Sequence, residues 1–270
     1  VMDDLGCCRL IFGEADAFPG LTVDRFENLL VTQTLSLGME KIKDMLFPLI
    51  VEVLEQDGET IDGLFERNDV VLREKEGLTQ NKGWFPLPGK KTPESPITEI
   101  CENGVFYRVD VENGQKTGFF LDQRENRELV KRYAKGRTVL NTFCYTGGFS
   151  VYAMAGGARK VCSVDSSERA VTLATENMVL NFGREADFCE IAADAVEYLK
   201  DIGDKYDLII LDPPAYGRGA NGEKWVLEDD ICEMLDCCAR LLEPENAFLV
   251  LNLYSMGLSP TLALSLIHIL

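Results

Sequence analysis

The sequence predicts an α/β protein in which a smaller α/β domain, residues 1–96, precedes a larger domain, residues 97–270, built on a doubly wound, mostly parallel sheet. From residue 139 onward, short apolar runs alternate with segments of helical periodicity, and this alternation is typical of such a sheet. Two of the runs end in Asp165 and Asp194, and another runs into Asp212. Because the carboxyl ends of parallel strands meet at one edge, we expect these acids to lie near each other.

The first section combines short extended runs with one amphipathic helix, which predicts a small α/β unit. The helix is predicted over residues 39–55, where Pro48 either causes a kink or marks the true beginning. The extended runs are residues 9–14, 21–24, 29–34, 63–66 and 70–72.

A stretch rich in glycine, proline and lysine, residues 77–96, is typical of a loop or linker and gives the best domain boundary. Trp84 lies within it and has two interpretations. It packs against a neighbouring sheet, or it offers a surface on which a base stacks, with Lys90 and Lys91 nearby.

The second domain is expected to begin with a β-hairpin over residues 99–110, because Asn103 and Gly104 form a turn signal between two alternating runs. A helix from residue 124 to 136 follows and is expected to have a basic surface. That surface is either a solvated helix face or a phosphate-contacting one. Its basic residues are Arg124, Arg127, Lys131, Arg132 and Lys135.

A strand, a glycine-rich turn and a helix are predicted over residues 139–155. Gly147 and Gly148 have no Cβ, so a ligand can approach the backbone closely. The N–H groups of the helix that starts there can face the negative end of a ligand. Asp165 lies about 20 residues beyond the loop, at the end of the next strand, where it can accept both ribose hydroxyls. The pattern indicates a nucleoside cofactor.

Two features of the loop indicate which nucleoside cofactor it binds. The dinucleotide fingerprint G-x-G-x-x-G is absent, so a nicotinamide dehydrogenase is a distant alternative. Residues 146–149 fit better as a loop around the amino-acid end of S-adenosyl-L-methionine. The alternative is that the glycines have only a structural role, because a turn between strand and helix requires glycine. Two further strands end at Asp194 and at Asp212. Pro213 and Pro214 follow Asp212 directly and hold the end of that strand in an extended conformation.

Composition excludes several classes of protein. With 46% apolar residues the chain can bury a core, and no apolar run approaches the roughly 20 residues that span a bilayer. The start has no basic region of a secretion signal. Nine cysteines without a C-x-x-C pair and a single histidine argue against a metal site and favour a reducing cytoplasm. The net charge of −18 opposes nonspecific nucleic-acid binding, so an RNA partner requires a local basic patch.

Both ends of the chain look cut, and an incomplete reading frame or foreign terminal residues are expected. His268, the only histidine, lies in the last segment and is given no catalytic role.

Three stretches together resemble one family, the ribosomal-RNA methyltransferases of the 23S cytosine-C5 type. They are residues 116–124, residues 143–149, and the motif formed by Asp212, Pro213 and Pro214. Residues 66–69 and 73–77 look like the middle domain of that family. The resemblance implies an N-terminal RNA-binding PUA domain, missing here, a middle α/β domain, and a Rossmann-like catalytic domain. It also implies RNA as the partner, with 23S ribosomal RNA as the expected one. Composition argues against a metal or a membrane, and a homodimer stays open.

The resemblance also implies roles for individual residues. The methionine moiety would be held by the loop, Asp165 would bind the ribose with Ser166 beside it, and Asp194, followed by Ala195, would face the adenine amine. Asp212 and the Pro213 carbonyl would lie beside the target base and the transferred methyl group. The loop residues are Phe143, Tyr145, Thr146, Gly147 and Gly148, and the substrate-binding residues are Lys116, Arg124 and Ser255.

One departure from the family leaves the methylated atom open. Cytosine-C5 chemistry needs a cysteine thiolate that adds to the ring, and Ser255 stands at the corresponding position. Ala215 supplies no cysteine either, and Cys144 is interpreted as a small buried residue. The alternative is N-methylation, in which Asp212 or the Pro213 carbonyl accepts a hydrogen bond from an exocyclic amine. Tyr216 either stacks on the base or only packs under its loop.

Two other functions stay open at this point. The first is a methyltransferase that acts on a small molecule or a protein with the same cofactor fold, and the net charge of −18 favours it. The second is an inactive fragment that binds the cofactor without turnover.

Overall fold

The computed structural model describes residues 6–218 and 224–253 of the chain. It has two compact units, Val1–Arg124 and Glu125–Leu270. Both mix helices and strands, so the predicted α/β class is confirmed. The predicted hairpin lies within the first unit, and the domain boundary after residue 96 stays a prediction.

The first unit contains a five-stranded sheet in the order β1-β2-β3-β4-β5 and a separate two-stranded hairpin, β6-β7. In the larger sheet β3 and β4 are parallel and every other neighbouring pair is antiparallel. The elements are β1 (Cys7–Phe12), β2 (Leu21–Phe26), β3 (Leu29–Thr34), α1 (Leu37–Gln56), β4 (Gly63–Asn68), α2 (Leu72–Lys75), β5 (Asn81–Phe85), β6 (Ile97–Glu102) and β7 (Val105–Asp110).

The helix α1 covers this sheet because its apolar residues recur on one face. Phe47 and Val51 are buried in a core with sheet residues such as Leu21 and Leu30. Ser36 caps the helix, since its Oγ accepts a hydrogen bond from the Met39 N–H at 3.4 Å.

Three expectations for the first unit are settled by these elements. Pro48 lies inside α1 and does not mark its beginning. The glycine- and proline-rich stretch is not only a linker, because β5 forms within it through antiparallel pairing with β4. Packing is the correct interpretation of Trp84, whose ring meets Phe65 edge-on with the ring centroids 5.0 Å apart.

The second unit alternates strands and helices as predicted. Its elements are α3 (Arg124–Tyr133), β8 (Thr138–Thr142), α4 (Gly148–Ala155), β9 (Lys160–Asp165), α5 (Glu168–Phe182), β10 (Phe188–Ala192), α6 (Ala195–Asp201), β11 (Leu208–Leu211), β12 (Tyr216–Arg218), β13 (Lys224–Val226), α7 (Leu227–Leu241) and β14 (Phe248–Leu251).

The main sheet of this unit has the order β10-β9-β8-β11-β14, and all its described strand pairs are parallel. The chain moves outward from β8 to β10 on one side and then crosses to β11 on the other. The strand order therefore reverses between β8 and β11. In open α/β sheets, ligands bind in the crevice at the carboxyl ends of the strands at such a reversal.

One expectation about α3 is wrong. Arg127 was expected on a basic helix surface, but only 2% of it is exposed, and its guanidinium lies over the Tyr152 ring, 5.9 Å from the centroid. Helical periodicity turns this position toward α4, where the aliphatic stem is buried. None of the helices in the described residues is long and apolar enough to cross a membrane.

Candidate active site

The loop between β8 and α4 has a strained backbone. Phe143 and Tyr145 both have positive φ angles, 55° and 48°, and Gly147 has φ 78°. Non-glycine residues rarely adopt this left-handed region, and they do so mostly where the surrounding structure fixes them, often at functional sites. A Cβ on Gly147 would lie 3.0 Å from the Cβ of Ala174 in α5, so this position requires glycine for both space and conformation.

Hydrogen bonds to two neighbouring elements, β9 and α5, and one bond within the loop hold this loop in place. The Cys144 N–H donates to the Val164 carbonyl of β9 at 3.0 Å, and the Gly147 N–H donates back to the Cys144 carbonyl at 2.9 Å. The fully buried Asn177 of α5 donates from Nδ2 to the Thr146 carbonyl at 3.0 Å. The loop is therefore fixed by its neighbours, as a preorganised binding loop must be.

Asp165, at the end of β9, organises the carboxyl edge of the sheet. Its Oδ2 accepts a hydrogen bond from the Tyr145 N–H at 2.8 Å, and its Oδ1 accepts one from the Ser167 N–H at 3.0 Å. The carboxylate thus connects the glycine loop to the start of α5. Two residues predicted from the sequence to share a cofactor, Tyr145 and Asp165, are in direct contact.

A buried polar network lies beneath the loop and was not foreseen. Asn141 donates from Nδ2 to the Ser150 Oγ at 2.8 Å, and the Ser150 and Ser163 hydroxyls are 2.8 Å apart. All three residues are fully buried. The sequence does carry a signal for this network, because Asn141 and Ser163 are polar residues within two largely apolar strands. Buried polar side chains are unusual unless they are hydrogen-bonded.

The tip of β10 adjoins Asp165, because the Ala193 N–H donates to the Asp165 carbonyl at 3.0 Å. Asp194 caps α6, and its Oδ1 accepts from the N–H groups of Val196 and Glu197 at 2.9 and 3.1 Å. Ala195 is buried as the first residue of that helix, whereas Ser166 is exposed. Asp194 therefore has a helix-capping contact in addition to its predicted adenine contact.

Asp212 lies directly after β11, on the other side of the reversal point. Its Oδ1 accepts a hydrogen bond of 2.7 Å from Asn252 Nδ2, at the end of β14. The Asn252 N–H in turn donates to the Leu211 carbonyl at 3.0 Å. Across the crevice, the Thr142 Oγ1 donates to the Ile210 carbonyl at 2.9 Å and holds the ends of β8 and β11 together. Asn252 is a further polar residue whose role sequence reasoning missed.

The remaining predicted site residues are distributed over both units. In the first unit, Lys116 Nζ donates to Asp122 Oδ2 at 2.8 Å, and Arg124 Nε donates to the buried Glu102 at 3.1 Å. Pro213 is buried beside Asp212, and Tyr216 begins β12. Ser255 falls outside the described residues.

Two groups near the loop have perturbed protonation. Burial raises the pKa of the Cys144 thiol well above its usual value, and the charges of Asp165 and Glu190 raise it further. A thiol held neutral in this way is a poor nucleophile. Burial also raises the pKa of Glu190, in β10, to about 7, although a 3.5 Å hydrogen bond from the Thr175 hydroxyl acts in the opposite direction.

A parallel sheet with a glycine loop and an acid at its reversal point defines a class of protein, the α/β proteins that bind a nucleoside cofactor at the carboxyl edge. Within that class, the chain belongs to the S-adenosylmethionine-dependent methyltransferase family, whose sequence profile matches residues 91–264.

Relatives and solved structures agree with this assignment. The chain is 43% identical over 224 residues to the "Ribosomal RNA large subunit methyltransferase I" of Aliivibrio fischeri, and the match covers 81% of this chain and 54% of that protein. The chain thus spans about half the length of this curated relative. A structure described as a methyltransferase complexed with SAH matches with a TM-score of 0.80 at 26% identity, covering 97% of this chain and 65% of that one. The "SAM Dependent Methyltransferase from Agrobacterium tumefaciens" matches with a TM-score of 0.71 at 26% identity, covering 98% of this chain and 78% of that one.

The residues present fit the cofactor of this family, S-adenosylmethionine. The space beside Gly147 is filled by Ala174 of α5, so the expected close approach of a ligand to this glycine is not what requires it. The first N–H groups of α4 follow Gly147, and the N-terminus of a helix favours the negative end of a ligand. The Asp165 carboxylate is only partly buried and can accept hydrogen bonds from hydroxyl groups.

Proposed function

We propose that this chain is part of a methyltransferase that uses S-adenosylmethionine to methylate a base of 23S ribosomal RNA in the cytoplasm. The main support is the 43% identity to a large-subunit ribosomal-RNA methyltransferase, over a match that covers 81% of the chain. The contact between the glycine loop and Asp165 supports the cofactor part of the proposal.

We assign the cofactor-binding roles by position along the sheet edge. The loop residues Phe143, Tyr145, Thr146, Gly147 and Gly148 receive the methionine moiety near the N-terminus of α4. Asp165 accepts the ribose hydroxyls with Ser166 beside it, and Asp194 with Ala195 faces the adenine. When bound, the cofactor supplies an electrophilic methyl group on a sulfonium. The residues of the chain contribute mainly by orienting the reactants.

Asp212 and Pro213 are the proposed catalytic residues, with Tyr216 as a stacking surface for the base. Asn252 orients the Asp212 carboxylate through a 2.7 Å hydrogen bond to Oδ1. A carboxylate can accept several hydrogen bonds, and we propose that one of them comes from an exocyclic amine. Lys116, Arg124 and Ser255 are proposed to contact the RNA. An RNA-binding PUA domain in the whole protein also stays a proposal, as does the domain boundary after residue 96.

The described residues favour a nitrogen atom of the base as the methyl acceptor. Attack by carbon C5 of cytosine needs a cysteine thiolate, and Cys144 is buried with a pKa well above the usual value of a thiol. A base nitrogen already carries a lone pair and needs only an acceptor for its proton. Asp212 can provide that acceptor.

Methyl transfer can be tested with isotopically labelled S-adenosylmethionine and three substrates, namely unmodified 23S ribosomal RNA, 16S ribosomal RNA and bulk protein. We expect label in 23S RNA only, and we expect the Asp165→Ala variant to lose it. Mass spectrometry of the nucleosides identifies the methylated atom. Label in protein, or no label in RNA from a chain that binds the cofactor, would contradict the proposal.

A further inference from the structure

The hydroxyl of Ser150 connects the first turn of α4 to the two strands beneath it. Asn141 of β8 and Ser163 of β9 are partners in the parallel ladder, so their side chains lie on the same face of the sheet. The Ser150 Oγ accepts from Asn141 Nδ2 at 2.8 Å and lies 2.8 Å from the Ser163 Oγ. All three residues are fully buried, and the proposed function assigns no role to this network.

Each member of the network lies two positions from a proposed cofactor contact. The contacts are Phe143, Gly148 and Asp165, and the network residues beside them are Asn141, Ser150 and Ser163 respectively. The network therefore links the three segments of the chain that form the proposed cofactor site, without being part of the surface that the cofactor touches.

Stability alone does not account for this network. The Asn141 Oδ1 is buried and has no hydrogen-bond partner among the described residues. A buried acceptor without a partner destabilises a fold, whereas apolar groups of the same shape in place of all the hydrogen-bonding partners are nearly neutral or stabilising. Natural proteins retain such unfavourable groups mainly where function requires them.

The apolar surface of α4 does not by itself fix the rotation of the helix about its axis. The five consecutive residues from Phe149 to Ala153 are all buried, and they cover more than one turn of about 3.6 residues. A helix that is buried all round has no solvent-facing stripe that selects one rotation. The hydrogen bonds of Ser150 do select one, in the same way that a single buried polar residue fixes the register of a coiled coil.

From these contacts we propose that Asn141, Ser150 and Ser163 are positioning residues, which orient the first turn of α4 so that its N–H groups face the carboxylate of the methionine moiety. The first N–H groups of a helix have no partner within the helix and favour negative charge. A rotated α4 would turn them away from that carboxylate, while Asp165 would still accept the ribose hydroxyls. This inference rests on the proposed cofactor site, and it predicts a loss of affinity for one end of the ligand only.

Two ligands separate the two ends of the cofactor site. S-adenosylhomocysteine has the amino-acid end, and 5′-methylthioadenosine has the same nucleoside and a thioether without it. Isothermal titration calorimetry of the full chain with each ligand gives the ratio of the two affinities. Ser150→Ala should lower the affinity for S-adenosylhomocysteine about tenfold and change that for 5′-methylthioadenosine by less than about twofold, because only the former has a carboxylate at the helix end.

A second variant combines Asn141→Leu, Ser150→Ala and Ser163→Ala, so that apolar groups replace the whole network. It leaves no member of the network unpaired, and it decides the question if Ser150→Ala alone does not fold. It should unfold at the same urea concentration as the parent chain or at a higher one, and still show the same loss of preference.

Val161→Ala is the matched control for a general loss of stability. Val161 is fully buried in β9, near the end of the strand opposite to Asp165. The cavity that this change creates should lower the urea midpoint, while both ligands should bind as they do to the parent chain.

The outcomes distinguish this inference from the proposed function. If Ser150→Ala and the triple variant keep the parent ratio of affinities, or weaken both ligands equally, the inference is overturned, and the function stands as long as 23S RNA is methylated. If the ratio falls as expected while no RNA is methylated, the inference stands and the RNA part of the function does not. A parent chain that binds neither ligand would overturn both the cofactor site and the inference.

Discussion

The backbone N–H of Tyr145 donates a hydrogen bond of 2.8 Å to the Asp165 carboxylate, although the two residues are 20 positions apart. The glycine loop and the acid of the next strand are therefore directly connected. A change at Asp165 acts on the proposed cofactor in two ways, because it removes an acceptor for the ribose and also releases the loop.

Asp165→Ala should therefore weaken binding of S-adenosylhomocysteine strongly. Loss of a charged hydrogen-bond acceptor corresponds to about 1.5–3 kcal/mol, or roughly 10- to 150-fold in affinity. Asp165→Asn keeps one carbonyl oxygen that can still accept from Tyr145, so it should lose less. Isothermal titration calorimetry measures both variants.

A suitable control is Asp187→Ala, since Asp187 is an exposed acid just before β10, at the opposite edge of the sheet. Its affinity should equal that of the parent chain. An Asp165→Ala variant with unchanged affinity would remove the basis for the cofactor site.

Gly147→Ala tests the loop itself. An alanine in the left-handed region costs about 1–2 kcal/mol, and here its Cβ would also lie 3.0 Å from Ala174. Gly136 has a similar φ of 73° but nothing within 4 Å, which makes Gly136→Ala a matched control for the backbone cost alone. Urea denaturation should show a larger stability loss for Gly147→Ala, and only that variant should also lose cofactor affinity. Equal losses in the two variants would show that space around Gly147 is unimportant.

Much of the fold and part of the site were predictable because their signals are local in the sequence. Helical and strand periodicity gives the alternation from β8 to β14, and the glycine loop and Asp165 follow directly from strand ends. Asn177 and Asn252 were not predictable, because their partners Thr146 and Asp212 lie 31 and 40 positions away. Such pairs form only once helix and strand have packed.

Arg127 was misplaced for a related reason. Five basic residues on one predicted helix suggest a charged surface, but the pattern does not reveal which of them the neighbouring helix covers. In the structure Arg127 packs over Tyr152, a residue of α4 25 positions away. Cation–π contacts of this kind depend on tertiary packing and have no sequence signature.

Asp212 is expected to affect the rate of methyl transfer more than cofactor affinity. Asp212→Asn keeps a similar shape but removes the negative charge, so it should lower kcat about 100-fold or more, within the usual range for a proton acceptor. Asn252→Ala removes the group that orients Asp212 and should lower kcat by a smaller factor, about tenfold, without changing the KM for S-adenosylmethionine. Steady-state kinetics on 23S RNA measure both variants. An Asp212→Asn variant with the kcat of the parent chain would exclude Asp212 from the reaction.

Glu190 should make the stability of the protein depend on pH. Burial raises the pKa of its carboxyl in the folded state to about 7, above the usual value of 4.5, so the folded protein binds this proton more tightly than the unfolded chain does. The stability that this proton contributes is fully present below pH 4.5 and is lost as the pH rises through 7. Glu190→Gln mimics the protonated form at every pH, since glutamine has nearly the same shape and no charge.

The variant should therefore melt at nearly the same temperature as the parent chain at pH 5 and at a higher temperature at pH 8. Thermal denaturation at half-unit steps of pH measures the trend. Glu185→Gln is the control, because Glu185 is exposed in the turn before β10 and its charge remains in water. A difference in Tm between Glu190→Gln and the parent chain that does not grow from pH 5 to pH 8 would contradict the raised pKa. It would mean that the carboxylate is charged and solvated in the folded state, with water supplying the partner that its buried Oε1 lacks among the described residues.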